Sequence, residues 1–347
     1  MNIKDPTFFE AIRDFINIYL PKQRLCSPCT VKSYDLTLNL FLLFLKQKKK
    51  LRYKDMSFEN LNYQTVCGFL DWLNIERNCG ANTQNHHLMV IRSFSKYASI
   101  LSVSYISAEM EIEKIHRKKV PPKIVRHFSL RILKAILAEP DKTKSNGYRD
   151  CVFMSLMYDS AARCQEMLDL QIENLRLNCN SPVIYITGKG GKTRPIPLMP
   201  KTALLLKTYL TRCHPVENRK DNDFVFFTIR SKERVRMSES NVGAFVKRYG
   251  QQAKQNHPEL NIPDIIYPHM FRHSRAMHIY ADGIHLHYIS EFLGHEHLSS
   301  TQIYAHSDSE MKRAMLAKVR RLDPDDGDLS FDLNDDQTIK KLYGLRY

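Results

Sequence analysis

No hydrophobic run in this sequence is long enough to cross a membrane, because the longest apolar stretch lies around residues 38–45. A membrane-spanning helix needs about 20 apolar residues. The first residues also lack the apolar core of a secretory signal. No segment repeats itself along the 347 residues, which argues against a repeat architecture. We therefore expect an intracellular protein of the cytoplasm, without a membrane partner.

No disulfide framework is recognisable among the eight cysteines, which are scattered from Cys26 to Cys213. Cysteines spread in this way through a chain of this length fit the reduced thiols of a cytosol. Cys26 and Cys29 form a lone C-x-x-C pair, and no second pair follows at zinc-finger spacing. Residues 30–34 continue a helical pattern, so we interpret both cysteines as the start of a helix.

Two common site patterns are missing as well. Lys189 lies in a glycine-rich segment, residues 187–192, but the Gly-x4-Gly-Lys-Ser/Thr pattern of a nucleotide-binding loop does not occur there. His269 and His273 have the i, i+4 spacing of zinc ligands, yet the glutamate of a zinc hydrolase is absent between them. Arg272 lies there instead and would repel a cation. We therefore expect neither a metal ion nor a cofactor.

Positive charge is abundant and unevenly distributed. The formal net charge is +15 and the isoelectric point is near 9.4. Residues 323–347 contain seven aspartates and three basic residues, a balance of −4, so the preceding part carries +19. A domain this basic predicts a polyanionic partner such as nucleic acid. The acidic tail is expected either to be disordered or to shield the basic surface.

Apolar residues at helical spacing dominate the first hundred residues. Helices are predicted over residues 8–20, from Pro28 after the N-cap Ser27, over residues 63–75 and from about Ala81. Four helices with short links predict a small bundle. A basic, proline-containing segment then predicts a linker, which is either solvated or in contact with nucleic acid.

The second half mixes helices with a small β-sheet. Residues 182–187 and 193–198 are rich in strand-forming residues, and the glycines between them predict a hairpin turn. A short strand is possible at residues 224–228. Helices are predicted over residues 130–138, 148–158, 201–213, 238–255, 270–281, 286–293 and 309–322, with a short helix around Tyr304. The predicted domains are residues 1–113, a linker over 114–124, residues 125–322 and the acidic tail 323–347.

Six residues of the second domain could together break a phosphodiester without a metal ion. They are two arginines, a lysine, two histidines and a tyrosine: Arg163, Lys189, His269, Arg272, His295 and Tyr304. Each is weak evidence alone, because a His-x-x-Arg pair on a helix or an ion pair such as Arg163–Glu166 is common on protein surfaces without any function. Lys192 competes with Lys189 for the role of the hairpin lysine. As a set, the arginines can clamp a phosphate while the tyrosine attacks.

The order of these motifs resembles the tyrosine recombinase (phage integrase) family. The resemblance rests on Arg163 with Glu166, the Gly-Lys-Gly around Lys189, His-x-x-Arg-His from His269, Leu-Gly-His ending at His295, and Tyr304 nine residues later. It covers nearly the whole chain. The first domain resembles the helical, SAM-like core-binding domain of the family, and residues 125–322 resemble its catalytic domain. The family often has Thr-Gly before the first arginine, where this chain has Ala161 and Ala162.

The resemblance implies a role for each residue. Tyr304 would be the nucleophile that forms a 3′-phosphotyrosine bond, and Arg163 and Arg272 would bind the scissile phosphate. The remaining roles would be leaving-group protonation by Lys189, general acid/base work by His269, a hydrogen bond from His295 to the phosphate, and support of the site by Glu166. Such an enzyme needs no metal ion or ATP.

The resemblance also implies a biological setting. The helical domain begins almost at Met1, which leaves no room for the arm-site DNA-binding domain of many phage integrases. We expect a Xer-type or transposon-borne recombinase that integrates, excises or transposes a mobile genetic element. The alternatives are Xer-like resolution of chromosome or plasmid multimers, type IB topoisomerase activity, and a DNA-binding accessory protein without catalysis. The implied partners are double-stranded DNA and further copies of the chain, in a tetramer of two dimers that exchange a C-terminal helix at residues 309–322.

Overall fold

The computed structural model describes residues 4–121, 125–295 and 298–307, which belong to two compact units, residues 1–122 and 123–347. Both units are mainly helical, and the second contains small antiparallel sheets, which confirms the predicted fold class. None of the described helices is long and apolar enough to cross a membrane. The predicted helix at 309–322 and the acidic tail at 323–347 lie outside the described residues.

The first unit is built from helices of very different length. They are α1 (Pro6–Asp14), α2 (Pro28–Lys48), α3 (Tyr63–Ile75), α4 (Ala81–Leu101) and α5 (Ile106–Glu113), with a π-helical segment over Phe15–Gln23. The predicted cap of α2 is confirmed, because the Ser27 side chain accepts a hydrogen bond from the Thr30 amide and Pro28 is the first helical residue.

Buried aromatic rings hold this unit together. Phe15 lies 5.3 Å from Phe94, and Phe41 lies 5.3 Å from Phe69, measured between ring centroids, and all four are fully buried. Burial of each such ring contributes roughly 1.5–3 kcal/mol. All four rings lie within helices predicted from apolar spacing, so sequence pattern and core agree here.

Two features of the first unit differ from the sequence prediction. The helix expected over residues 8–20 is α-helical only to Asp14 and continues as a π-helix to Gln23, past Pro21. Proline removes one amide from the helical ladder and disturbs its regular bonding. Helix α5 was not predicted, because only Ile112 among its residues is buried and the apolar pattern is correspondingly weak.

The basic segment predicted as a linker makes defined contacts within the first unit. Asn85 exchanges two hydrogen bonds of 2.8 Å with the backbone of Lys118, and Arg92 donates to the Ile115 carbonyl at 2.6 Å. Residues 115–118 are therefore held on α4. The start of the linker at residue 114 stays a prediction.

The second unit alternates helices with short strands. Its elements are α6 (Leu130–Ala138), α7 (Ser145–Ser160), α8 (Cys164–Leu168), β1 (Leu175–Arg176), β2 (Val183–Thr187), β3 (Thr193–Pro197), α9 (Pro200–Cys213), β4 (Phe227–Arg230), β5 (Glu233–Arg236), α10 (Glu239–Asn256), α11 (His269–Ala281), α12 (Leu286–Leu293) and α13 (Ser299–Ser307). The predicted helices of the described residues all occur. Helix α8 and strands β1 and β5 were not predicted, since elements of two to five residues carry too little pattern.

The predicted hairpin is confirmed. Strands β2 and β3 pair antiparallel, with Ile184 opposite Ile196 and Thr187 opposite Thr193, and β1 pairs with the other edge of β2. Ile184 and Ile196 are buried, so this face of the sheet joins the core of the unit. The turn between the strands contains Lys189.

Helix α7 passes through the centre of the second unit and is buried on most of its surface. Phe153 packs edge-on against Phe226 and Phe245, at centroid distances of 4.8 and 5.8 Å. Near its start, the helix runs so close to the carbonyl of Asp141 that only a glycine, Gly147, fits. The end of α7 then fixes where the chain turns toward Arg163.

Replacement of Gly147 by alanine should therefore destabilise the second unit. The added Cβ would lie 2.1 Å from the Asp141 carbonyl oxygen, a backbone atom that cannot move alone. We expect a loss of roughly 1–3 kcal/mol in the free energy of unfolding, measured by urea denaturation. Gly243→Ala on α10 is the matched control, because its Cβ would meet no atom within 4 Å. That control should gain about 0.5–1 kcal/mol; equal behaviour of the two variants would contradict the packing argument.

Candidate active site

The turn after α7 presents Arg163 at the start of α8. Ala161 ends α7 in the left-handed conformation, with φ of 48° and ψ of 26°. That conformation costs roughly 1–2 kcal/mol for a residue with a Cβ. Arg163 then precedes α8. It donates two hydrogen bonds to the Glu166 carboxylate, from its backbone amide at 3.0 Å and from its Nη1 at 2.6 Å. The predicted support of Arg163 by Glu166 is thus present as a contact.

Glu166 is itself nearly buried, with 6% of its surface exposed, and binds a second guanidinium. Arg194 on β3 donates to Glu166 Oε2 at 2.8 Å. Burial alone would raise the pKa of this carboxyl, but the hydrogen bonds from Arg194 and the Arg163 amide and the arginine charges outweigh it and lower the pKa. Glu166 therefore stays ionised and joins β3 to the start of α8.

Arg194 is a residue of the site that the sequence analysis missed. Its guanidinium lies against two glycines: a Cβ on Gly294 would approach Nη1 to 2.9 Å, and one on Gly188 to 3.3 Å. Gly294 also has a positive φ of 64°, so this position favours glycine on two grounds. The only sequence signal was an arginine on a strand next to the glycine-rich turn, which does not reveal its carboxylate partner.

Arg272 is almost completely buried, with 2% of its surface exposed. Nη1 donates to the Ala161 carbonyl at 2.6 Å, and Nη2 donates to the Leu293 carbonyl at 2.8 Å. Burial and the nearby Arg163 charge lower the pKa of Arg272 to about 10. It therefore remains charged at neutral pH and ties the ends of α7 and α12 to α11.

The two predicted histidines lie among these charges and are neutral at neutral pH. Burial, then the charges of Arg272 and Arg163, lower the pKa of His269. The same causes, with Arg194 added, lower the pKa of His295 to about 4. His295 Nδ1 lies 2.8 Å from Thr301 Oγ1, a contact that joins the residue after Gly294 to α13.

Tyr304 faces this cluster from α13 and is almost completely buried, at 1% exposure. Burial raises the pKa of its hydroxyl, and the Arg272 and Arg163 charges oppose that rise. Its Oη lies 3.1 Å from Nδ1 of His273. Among the described residues, no hydrogen bond joins Tyr304 to His269. The histidine that the tyrosine contacts, His273, was not among the six residues predicted from the sequence. A His-x-x-Arg-His pattern offered two histidines, and only packing distinguishes them.

Lys189 occupies the turn between β2 and β3. Gly190 and Gly191 both have positive φ values, 78° and 74°, which explains the glycines. Its side chain lies outside the described structure, so the predicted role of Lys189 stays a prediction.

The described arrangement is a cluster of cationic side chains near a tyrosine hydroxyl, which we call the pocket below. Arg163 and Arg194 pair with one carboxylate, Glu166, whereas Arg272 donates to two backbone carbonyls, so positive charge is in excess. Such a cluster of preorganised donors suits an anion with several oxygens, such as a phosphate diester. Within residues 4–121, 125–295 and 298–307, no group of three His, Cys, Asp or Glu side chains is placed to hold a metal ion.

Comparison with known proteins identifies the family of this chain. The sequence profile of the Phage integrase family matches residues 128–311, and that of the Phage integrase SAM-like domain matches residues 7–109. The chain therefore belongs to the phage integrase family of tyrosine recombinases, enzymes that cleave and rejoin DNA.

Individual relatives extend over most of the chain. A Sinorhizobium fredii protein named as an integrase/recombinase is 27% identical over 94% of this chain and 98% of its own length. Tyrosine recombinase XerD of Staphylococcus epidermidis is 30% identical over 66% of this chain and 72% of its own. The crystal structure of XerH in a post-cleavage complex with its difH substrate has the same fold, with a TM-score of 0.65, 20% identity and coverage of 91% of this chain and 90% of that one.

Replacement of Arg194 by methionine should destabilise the second unit, because the buried Glu166 would lose one of its two guanidinium partners. We expect a loss of about 1–3 kcal/mol in the free energy of unfolding, measured by urea denaturation. Adding Glu166→Gln to Arg194→Met should cost less than the sum of the two single changes. Lys144→Met, which removes an exposed ion pair with Asp141, is the control and should change stability by about 0.5 kcal/mol or less. Strict additivity would contradict the coupling.

Acid should destabilise the fold through the site histidines. The pKa values of His273 and His295 are about 4 in the folded chain, against an ordinary 6.5. Between these values the unfolded chain binds protons that the folded chain excludes, so stability falls as pH drops from 6.5 toward 4. The Tm measured between about pH 7.5 and 5 should fall with pH, and less steeply when both residues are asparagine. Equal slopes of Tm against pH in the wild-type chain and the double variant would contradict this assignment.

Proposed function

We propose that the chain is a site-specific DNA recombinase that cleaves each strand with Tyr304 through a 3′-phosphotyrosine intermediate. The observation that carries this proposal is the Tyr304 hydroxyl beside a pocket with three guanidinium groups and one carboxylate. Attack on phosphorus develops negative charge on the non-bridging oxygens, and fixed cationic donors stabilise that charge. Because the bond energy is kept in the phosphotyrosine, a second DNA end can be joined without ATP.

The contacts support a division of labour. Arg163, held by Glu166, and Arg272, held by two carbonyls, would grip the phosphate from different elements. Each guanidinium has five N–H donors, so both retain donors beyond the bonds described above. Arg194 would add positive charge and keep Glu166 ionised. Lys189 at the hairpin turn would protonate the leaving 5′-oxygen.

The neutral histidines would take part as uncharged groups. His269 and His295 lie close enough to Arg272 and Arg163 for those charges to lower their pKa values. A neutral imidazole can donate one hydrogen bond and accept another. His295 would donate to a phosphate oxygen, and His269 would serve in acid–base exchange near the leaving group.

The biological role that we propose is the integration, excision or transposition of a mobile genetic element. Its support is the Sinorhizobium fredii integrase/recombinase, which this chain matches over nearly its full length. The Tn1549 transposon integrase in complex with transposon right-end DNA shares the fold, with a TM-score of 0.64 and 11% identity, over 89% of this chain and 99% of that one. The similarity to XerD keeps multimer resolution as the alternative. Either activity would take place in the compartment that holds the DNA.

Domain and subunit organisation complete the proposal. We propose a core-binding domain over residues 1–113 and a catalytic domain over 125–322, joined by the linker 114–124, each of which would bind the DNA. Strand exchange between two duplexes needs four active sites, so we propose a tetramer of two dimers. The predicted helix at residues 309–322 would dock on a neighbouring copy.

Replacement of Tyr304 by phenylalanine tests the nucleophile. The wild-type chain should form a covalent adduct on a nicked suicide duplex, built on a cleavage site mapped in the DNA that flanks its reading frame. Tyr304→Phe should lose the adduct entirely and keep DNA affinity, because only the attacking oxygen is removed. Denaturing gels and peptide mapping of the adduct are the measurements.

The matched control is Tyr158→Phe. Tyr158 is partly buried and, like Tyr304, its hydroxyl is hydrogen-bonded to a histidine of α11. That variant should form the adduct at the wild-type rate. Adduct formation by Tyr304→Phe would remove the proposed mechanism, and exchange between two mapped sites by the wild-type chain would separate recombination from mere relaxation.

A further inference from the structure

The contact between Tyr304 and His273 joins a hydroxyl that can donate a proton to a ring nitrogen that can accept one. The two side chains meet at 3.1 Å, from Oη to Nδ1, with their ring centroids 5.9 Å apart and their planes tilted by 60°. Tyr304 is buried on α13 and His273 lies on α11, so tertiary packing alone creates the pair. The bond joins the reacting oxygen of the proposed mechanism to a titratable ring.

The ring is in the state that accepts a proton. Burial, the neighbouring His269 and the Arg272 charge lower the pKa of His273 to about 4. His127, from the segment before α6, lowers it further. At neutral pH the imidazole is therefore uncharged, and Nδ1 can accept the hydrogen bond that the phenol donates.

We propose that His273 is the proton acceptor for the Tyr304 hydroxyl during strand cleavage. In this step the Oη–H bond breaks and its proton moves to Nδ1, while Oη forms the bond to phosphorus. The bond from phosphorus to the 5′-oxygen breaks, and that oxygen takes a proton from the hairpin lysine. Cleavage leaves an imidazolium and a neutral amine, and rejoining returns both protons, so the cycle is balanced.

The scissile phosphate would make this transfer easier at the moment it is needed. Arg272 lies beside His273 in the chain, and its charge disfavours the imidazolium in the DNA-free protein. A phosphate bound at Arg272 and Arg163 offsets that positive charge, so the imidazolium becomes more stable as attack proceeds. Without DNA, the Tyr304 hydroxyl and the neutral His273 ring form only a hydrogen bond.

His269 is better placed for proton transfer near the leaving 5′-oxygen than for contact with Tyr304. It lies one helical turn before His273, with the two rings 6.0 Å apart and nearly parallel. The Arg163 charge acts on His269 directly, which places it toward the arginine side of the pocket. The two histidines of one motif would then serve separate proton transfers.

The inference rests on the proposed role of Tyr304, and substrate chemistry separates it from the other proton transfer. A duplex with a 5′-bridging sulfur at the scissile bond has a leaving group that departs without protonation, because thiols are far more acidic than alcohols. This substrate should rescue a variant that lacks the general acid, such as Lys189→Ala. It should not rescue a variant that lacks the acceptor for the tyrosine proton.

His273→Asn is the decisive variant, since its amide oxygen can accept a hydrogen bond but cannot take up a proton. We expect single-turnover cleavage to slow by about 100-fold or more on both substrates, with DNA affinity unchanged. His273→Ala should be slowed similarly and partly restored by added imidazole. His278→Asn is the matched control, because His278 Nδ1 bonds Tyr158 Oη at 2.9 Å on the same helix, away from the reacting atoms. It should cleave at the wild-type rate.

Three results would overturn the proposal: a His273→Asn rate within about threefold of wild type, full rescue of that variant by the sulfur substrate, or no imidazole effect on a folded His273→Ala. If neither variant folds, nitrogen NMR of the wild-type chain decides, since a proton on Nδ1 of His273 would make it the donor. Failure of Tyr304 itself is distinguishable, because the wild-type adduct would then map to another residue.

Discussion

The structure of the site depends on one buried charge. Arg272 donates to the carbonyls of Ala161 and Leu293 at 2.6 and 2.8 Å, and these carbonyls end α7 and α12. A guanidinium without these partners would be costly at 2% exposure. The bonds therefore require the two helix ends to converge on α11. Arg163 follows the first carbonyl by two residues and His295 follows the second by two, so both reach the pocket.

Charge imbalance explains how this architecture can act on DNA. Glu166 supports Arg163 and Arg194, and with Arg272 the pocket keeps an excess of positive charge. The same charges, with burial, keep His269, His273 and His295 neutral. In the proposed mechanism, a phosphate diester would supply the missing negative charge beside the tyrosine.

Prediction from the sequence succeeded where the pattern was long or chemically distinctive. The helices α2, α3, α4, α7 and α10 and the β2–β3 hairpin follow from apolar periodicity, capping residues and turn glycines. The elements that escaped prediction are short: α5 fully buries one residue, Ile112, α8 has five residues, and β1 and β5 have two and four. The π-helical end of the first helix escaped because spaced apolar residues indicate a helix but not the register of its backbone hydrogen bonds.

The sequence by itself determined the fold class, the family resemblance, and the order of arginines, histidines and tyrosine along the chain. Only the tertiary structure decided which of these groups touch. The choice of His273 over His269 as the partner of Tyr304, and the pairing of Arg194 with Glu166, each join elements far apart in sequence. Such contacts depend on how α11, α13, β3 and α8 pack, and local pattern carries no information about distances between separate elements.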